Sequence, residues 1–175
     1  MDFYIRPIEA GDAKGINQIR RMPGVFENLL AIPSEKVSRT EEFIVRQDSN
    51  THHFVAVTEI RPGEELVIGS AALSVSPSPR MRHSATLGIM VHKDYQNMGV
   101  GTALMKTLLD IADNWLMLVR AELTVFEDNE RAIRLYEKFG FEKEGVKRMS
   151  VIKNGKYINE ILMARINPAF PSGKP

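Results

Sequence analysis

The sequence contains no cysteine. That excludes a disulfide framework and a cysteine nucleophile, and it fits a reducing cytoplasm. Net charge is almost absent too, at +1 at pH 7, which leaves no electrostatic footprint for nucleic acid or an anionic membrane. No apolar run is long enough to cross a bilayer. The start, Met1-Asp2-Phe3-Tyr4-Ile5-Arg6, lacks the apolar core of a signal peptide. A cytoplasmic location is therefore expected. The four histidines are scattered without ligand spacing, so no metal site is expected. What is present is a 175-residue chain, 43% hydrophobic, long enough to bury the core of one domain. The reading is a single domain over residues 1–166 and a flexible, proline-bearing tail over 167–175.

The most informative stretch runs from Val91 to Leu104. Ala85 to Val91 before it is a short apolar run, which predicts a buried strand. Ala103 to Leu118 after it is apolar at Leu104, Leu108, Ile111, Ala112 and Trp115, which is helical spacing. Between them lies a short polar loop with Gly99 and Gly101. A helix N-terminus carries unpaired N–H groups and partial positive charge. Glycines remove side chains where a backbone must approach a ligand. Together these make an anion site, most naturally for phosphate. A helix entry that merely uses glycine to turn would look similar. A P-loop is excluded because no Gly-x-x-x-x-Gly-Lys-Ser/Thr run occurs. A dinucleotide fingerprint fails because Leu104 stands where a third small residue is needed.

Elsewhere Phe3–Arg6 alternates as a first strand, stopped at Pro7. Asp12 is read as the cap of a helix to about Arg21, with Ile16 and Ile19 inward. Ser34 or Ser38 is read as the cap of a second helix through Val45. His53–Thr58 and Leu66–Val75 read as strands of a hairpin with a long loop around Arg61-Pro62-Gly63-Glu64. Ala121–Phe126 is a strand, and Arg131–Lys138 a helix closed by Gly140 with Ala132, Leu135 and Phe139 inward. Phe141–Ile152 and Tyr157–Arg165 are strands joined at Asn154-Gly155. This order predicts an α/β (α+β) domain. Its central sheet of about seven strands is mixed and mostly antiparallel, with helices on both faces and one parallel pair at the glycine turn.

Two motifs carry a resemblance. Gln96-x-x-Gly99-x-Gly101 resembles the Gln/Arg-x-x-Gly-x-Gly/Ala signature of the GNAT superfamily of N-acetyltransferases. Asn129-x-x-Ala132-x-x-x-Tyr136-x-x-x-Gly140-Phe141 resembles that family's downstream pattern. On spacing alone, Asn129 and Tyr136 are equally well a cap residue and a core tyrosine. The likeness spans roughly Phe3–Ala164 and is sharp over Ala85–Phe141. Within the family the chain is most similar to small bacterial enzymes acetylating free amino acids, through Asp113-Asn114-Trp115-Leu116, Glu122–Phe126 and the early Met22–Asn28 stretch.

The resemblance implies direct acetyl transfer from acetyl-CoA, a cosubstrate, to a primary amine of a small molecule, in the first instance an amino acid. No metal is implied. The backbone of Ile89, Met90 and Val91 is expected to pair with the pantetheine arm as an added strand beside a splayed neighbour. Gln96 and the amides of Asn97, Met98, Gly99, Val100, Gly101 and Thr102 are expected at the pyrophosphate, and Asn129 at the pantetheine or acetyl region. Tyr136 is the expected general acid.

The base is less well marked. Ser84-Ala85-Thr86-Leu87 carries no carboxylate, and Thr124 stands where other relatives place one. Glu122, two residues earlier, reads as a structural ion-pair partner. His83 has a suitable ordinary pKa but sits in a loop. A water relay is expected, with Glu27 as the direct candidate. Alternative acceptors are a protein or peptide Nα or lysine amine, or a polyamine. A polyamine would need converging carboxylates, and Glu27, Glu35, Glu41 and Glu42 of the early region are not read as convergent. A non-catalytic acyl-CoA-binding module is the reading from a different class. A homodimer is compatible with all of these.

Overall fold

The structure, a computed structural model, describes residues 2–170. Among them seven strands form one mixed sheet in the order β1-β2-β3-β4-β5-β7-β6. They are β1 (Tyr4–Pro7), β2 (Thr51–Arg61), β3 (Glu64–Val75), β4 (Ser84–Val91), β5 (Arg120–Phe126), β6 (Glu142–Lys153) and β7 (Lys156–Ile166). The helices are α1 (Ala13–Arg20), α2 (Val37–Val45), α3 (Val100–Asp110) and α4 (Glu130–Lys138). β1/β2, β5/β7 and β6/β7 pair antiparallel. β4 and β5 pair parallel, with Ser84 opposite Arg120 and Thr86 opposite Glu122. That parallel pair is the one the sequence predicts, because a strand–helix–strand crossover brings the chain back in the same direction. No helix among the described residues is long and apolar enough to cross a membrane.

The described residues pack as two compact units: 2–73 with Gly88–Leu108, and Ser74–Leu87 with 109–170. The core of the first gathers Ile16, Ile19, Val25, Val55, Val57 and Val67. Ile16 and Ile19 lie one turn apart on α1 and face this core, as their spacing predicts. Burying a side chain of this size contributes about 1.5–3 kcal/mol. Several local expectations change in this unit. Asp12 makes no side-chain cap for α1. Its carboxylate instead accepts both Arg6 Nη atoms at 2.8 Å and the Glu9 N–H at 2.8 Å. A bidentate guanidinium is a stronger partner than one backbone amide. Neither Ser34 nor Ser38 caps α2, which follows Lys36 without a side-chain cap. The hairpin loop is short rather than long, since β2 runs to Arg61 and β3 begins at Glu64.

In the second unit β5 pairs β7 along its whole length, from Arg120 opposite Ile166 to Phe126 opposite Glu160. The β6–β7 hairpin turns at Asn154 and Gly155, both left-handed at φ 50° and 75°. Two such residues in succession give the type I′ turn whose twist matches the strands. Helix α3 does not continue regularly to Leu118. A π turn spans Ile111–Trp115, and Trp115 is 75% exposed rather than inward. The extra residue in the turn rotates the later positions off the apolar stripe. The inward stripe of α4 is likewise displaced by one residue, with Ile133 and Tyr136 buried in place of Ala132, Leu135 and Phe139. At the start of the expected tail Asn167 is buried, and its side-chain and backbone N–H groups donate to Leu118 and Val119 carbonyls at 3.1 and 2.8 Å. The rest of that segment, residues 171–175, lies outside the described residues.

Candidate functional site

The glycine turn is built by β4 and the loop that follows it. Val91 ends the strand, and the His92 N–H donates to the Ile68 carbonyl at 2.9 Å, tying the loop to β3. The His92 ring is buried against Tyr95, and its Nδ1 accepts the Asp94 N–H at 3.2 Å. Gln96 folds back so that its Nε2 donates to the Val91 carbonyl at 3.2 Å. The first glutamine of the motif thus braces the loop. Asn97 and Gly99 then adopt left-handed conformations, φ 63° and 86°. The Ala103 N–H reaches back 2.9 Å to the Gly99 carbonyl and opens α3. The amides of Gly101 and Thr102 precede that first helical bond, so they have no intrahelical acceptor. Asn97, Met98 and Gly99 are exposed. A run of N–H groups at the positive end of a helix fits a pyrophosphate. Gly69 on β3 lets α3 sit where it does. A Cβ there would stand 3.0 Å from Leu104 Cδ1 and Val100 Cγ1 and 3.3 Å from the Met90 carbonyl. Nothing local in the sequence around Gly69 signals this, because the contact is made across 35 residues of chain.

In the second unit Asn129 is the N-cap of α4, its Oδ1 accepting the Ala132 N–H at 3.3 Å. Tyr136, on the buried face of the same helix, is 5% exposed and tilts against Phe141 at 5.9 Å between ring centroids. Burial pushes the phenol up to about 12, because a phenolate would be poorly solvated there. Tyr136 is therefore a neutral hydrogen-bond donor throughout the physiological range.

The first unit also holds a cavity of about 400 Å³. Ile16, Leu29, Phe43 and Ala72 give it an apolar lining, and Gly88, Ile89 and Met90 of β4 form part of its wall. Its polar residues are Arg20, Glu35, Arg39, Thr40, His53 and Ser70. Glu35 is 7% exposed and gripped by Arg20, Nε to Oε1 at 2.7 Å and Nη2 to Oε2 at 3.1 Å. Arg39 approaches the same carboxylate at 4.0 Å, and its side chain is 77% exposed. The Arg20 hydrogen bonds hold the Glu35 carboxyl below its ordinary range although burial pushes the other way. His53 bridges Gln47 Nε2 at its Nδ1, 2.6 Å, and Ser70 Oγ at its Nε2, 2.7 Å. Burial pushes this imidazole down to about 4, with Asp12 opposing. It is neutral at pH 7, so the wall carries two guanidiniums against one carboxylate.

Three sequence-derived acid–base candidates are not among the residues lining this cavity. Glu27 accepts the Gly24 N–H at 2.7 Å and closes its own turn. Glu122 pairs with Arg120 at 2.8 Å, the structural role read for it. His83 is exposed and offers its carbonyl to Val119 and Arg120. Of the residues read as cofactor-binding, Ile89 and Met90 lie on the cavity wall. Sequence reasoning did not single out Arg20, Arg39, His53 or Ser70, and it read Glu35 as not convergent. They lie on α1, α2, β2 and β3 or between them, and no spacing rule links them.

A profile of the acetyltransferase (GNAT) family matches residues 22–141. The chain is 36% identical over 165 residues to the L-amino acid N-acetyltransferase AaaT of Escherichia coli (strain K12), covering 94% of this chain and 98% of that protein. It is 26% identical over 161 residues to the spermidine N(1)-acetyltransferase of the same strain, covering 91% and 83% respectively. The crystal structure of spermidine N-acetyltransferase from Vibrio cholerae in complex with CoA and spermine superimposes with a TM-score of 0.80 at 24% identity, covering 94% of this chain and 95% of that one. At that identity the likeness is one of fold.

Proposed function

Because the chain belongs to the GNAT family of acetyltransferases and is an acetyl-CoA-dependent N-acetyltransferase, we propose that its acceptor is the α-amino group of a free amino acid with an apolar side chain. The observation that carries this is the charge of the cavity wall. Its one carboxylate among the described residues, Glu35, is already held by Arg20 and neighboured by Arg39. A polyamine brings only positive charge and would find no free carboxylate there. An apolar amino acid brings a carboxylate for a guanidinium and a side chain for Leu29 and Phe43. The identity to an L-amino acid N-acetyltransferase supports the same choice. A polyamine acceptor is the second reading, favoured by the spermidine-acetylating relative.

In this reading acetyl-CoA supplies an activated acetyl thioester. The amides from Asn97 to Thr102 hold its pyrophosphate, and the Ile89–Val91 backbone pairs with its pantetheine arm. Asn129 contacts the acetyl or pantetheine region, and the Tyr136 hydroxyl delivers a proton to the departing sulfur. The amine loses its proton through water, since Glu27 is occupied with the Gly24 amide. The enzyme works in the cytoplasm as a single catalytic domain.

Two expected results follow. Saturating acetyl-CoA or CoA raises the melting temperature in a concentration-dependent way, as a ligand binding only the native state must. Gly101→Val folds but loses the shift, because a side chain in the first turn of α3 blocks approach to the amides. A wild-type protein whose melting temperature ignores both ligands removes the turn from cofactor binding. In a thiol-release assay with acetyl-CoA, methionine and phenylalanine are better acceptors than spermidine or a lysine-bearing peptide. Faster turnover of spermidine reverses the assignment.

A further inference from the structure

We propose that Arg39 and the Ser70 hydroxyl hold the α-carboxylate of the acceptor, which makes them the residues that distinguish an amino acid from the plain amine with the same side chain. This rests on the amino-acid reading above. The two arginines at Glu35 are not equivalent. Arg20 spends Nε and Nη2 on that carboxylate in a two-point grip at 2.7 and 3.1 Å. Arg39 contacts it only at 4.0 Å, beyond hydrogen-bond length. Its planar fork is thus uncommitted on the cavity wall, and such a fork matches a carboxylate with two parallel hydrogen bonds.

Ser70 is only 4% exposed, and its hydroxyl is oriented by a chain of hydrogen bonds. The Gln47 amide nitrogen only donates, so His53 Nδ1 accepts at 2.6 Å. A neutral imidazole then carries its proton on Nε2 and donates it to Ser70 Oγ at 2.7 Å. With its oxygen accepting from His53, the Ser70 hydroxyl has its own hydrogen left to give. Ser70 is on the cavity wall, where an anion can take that hydrogen. His53 is the positioning residue of this arrangement and does not touch the acceptor in it. The apolar lining at Ile16, Leu29 and Phe43 takes the acceptor's side chain.

The test compares phenylalanine with 2-phenylethylamine, identical except for the carboxylate, in the wild type and in Arg39→Gln. The wild type should prefer phenylalanine in kcat/KM. In Arg39→Gln the KM for phenylalanine should rise ~10–100-fold, the range of a charge-assisted hydrogen bond, with a much smaller change in kcat. The preference over 2-phenylethylamine should collapse. Ser70→Ala and His53→Gln should move the same ratio in the same direction by about tenfold, which loss of stability alone would not do. Arg39 is exposed, so its replacement leaves a folded protein to measure. An Arg39→Gln enzyme that keeps the wild-type preference overturns this proposal alone, as does a wild type that acetylates both compounds equally well. A wild type that acetylates spermidine and not phenylalanine overturns the amino-acid reading, and this proposal with it.

Discussion

Tyr136→Phe should lower kcat by ~10²–10⁴-fold, the span for a general acid–base group, while acetyl-CoA affinity and melting temperature stay near wild type. The substitution keeps the ring that packs at 5.9 Å on Phe141 and removes only the hydroxyl. Burial holds the phenol near a pKa of 12, so the proton is present at every working pH. A CoA thiol is a better acid than this tyrosine, so a lone phenolate is never favoured: the hydroxyl acts on the departing sulfur as a hydrogen-bond donor, and a proton it gives up must be replaced through the water that takes one from the amine. A hydrogen bond to that sulfur therefore strengthens late in the reaction, and such contacts lower the barrier more than they tighten ground-state binding. The rival account makes Tyr136 a core residue only. It predicts a stability loss of about 1 kcal/mol for a lost hydrogen bond and near-normal turnover in the folded fraction. Melting temperature, CoA affinity and kcat measured on one preparation separate the two. A stable variant with undiminished kcat takes Tyr136 out of the mechanism.

The second large effect is on stability against pH. His53 has its folded pKa depressed from 6.5 to about 4 by burial. Between those values the unfolded chain binds the proton and the folded chain does not. Stability therefore rises with pH across that window and falls as the solution is acidified from 6.5 toward 4. The loss from this one group should reach on the order of 3 kcal/mol. The carboxylates with lowered pKa values, Asp12, Glu35 and Glu144, act further down. Their stabilisation is complete above the unfolded values of 3.8 for Asp12 and 4.5 for the two glutamates and is lost as pH falls below them. Urea unfolding at a series of pH values should thus show a slope between pH 6.5 and 4.5 that His53→Gln removes, at some cost in stability at pH 7. An unchanged slope in that variant assigns the effect elsewhere. The folded cavity stays uncharged at His53 until the pH nears 4, so across this window turnover should follow the folded fraction.

Contiguous residues by themselves determined the parts of this protein that are local. The left-handed turn at Asn97 and Gly99, the Asn129 cap and the Asn154-Gly155 hairpin each need only a few neighbouring residues of the right type. The parallel pairing of β4 and β5 follows from strand, helix and strand in succession. The two motifs that place the chain among acetyltransferases are likewise short and continuous. Apolar periodicity located α3, α4 and the inward stripe at Leu104, Leu108 and Ala112, but not the end of that stripe or the phase of α4. A π turn displaced Trp115 outward, and α4 settled with Ile133 and Tyr136 inward, because either of two adjacent stripes satisfies the same spacing and packing chooses between them.

The cavity proposed for the acceptor was decided by tertiary structure alone. Arg20, Glu35, Arg39, His53 and Ser70 come from two helices, two strands and a loop. Which arginine is spent on Glu35, and which is left over, depends on distances of 2.7 and 4.0 Å that no spacing encodes. The depressed pKa of His53 likewise exists only once burial has removed its water. A carboxylate or imidazole in a sequence has no environment, and its charge, partners and use are properties of what the fold packs around it.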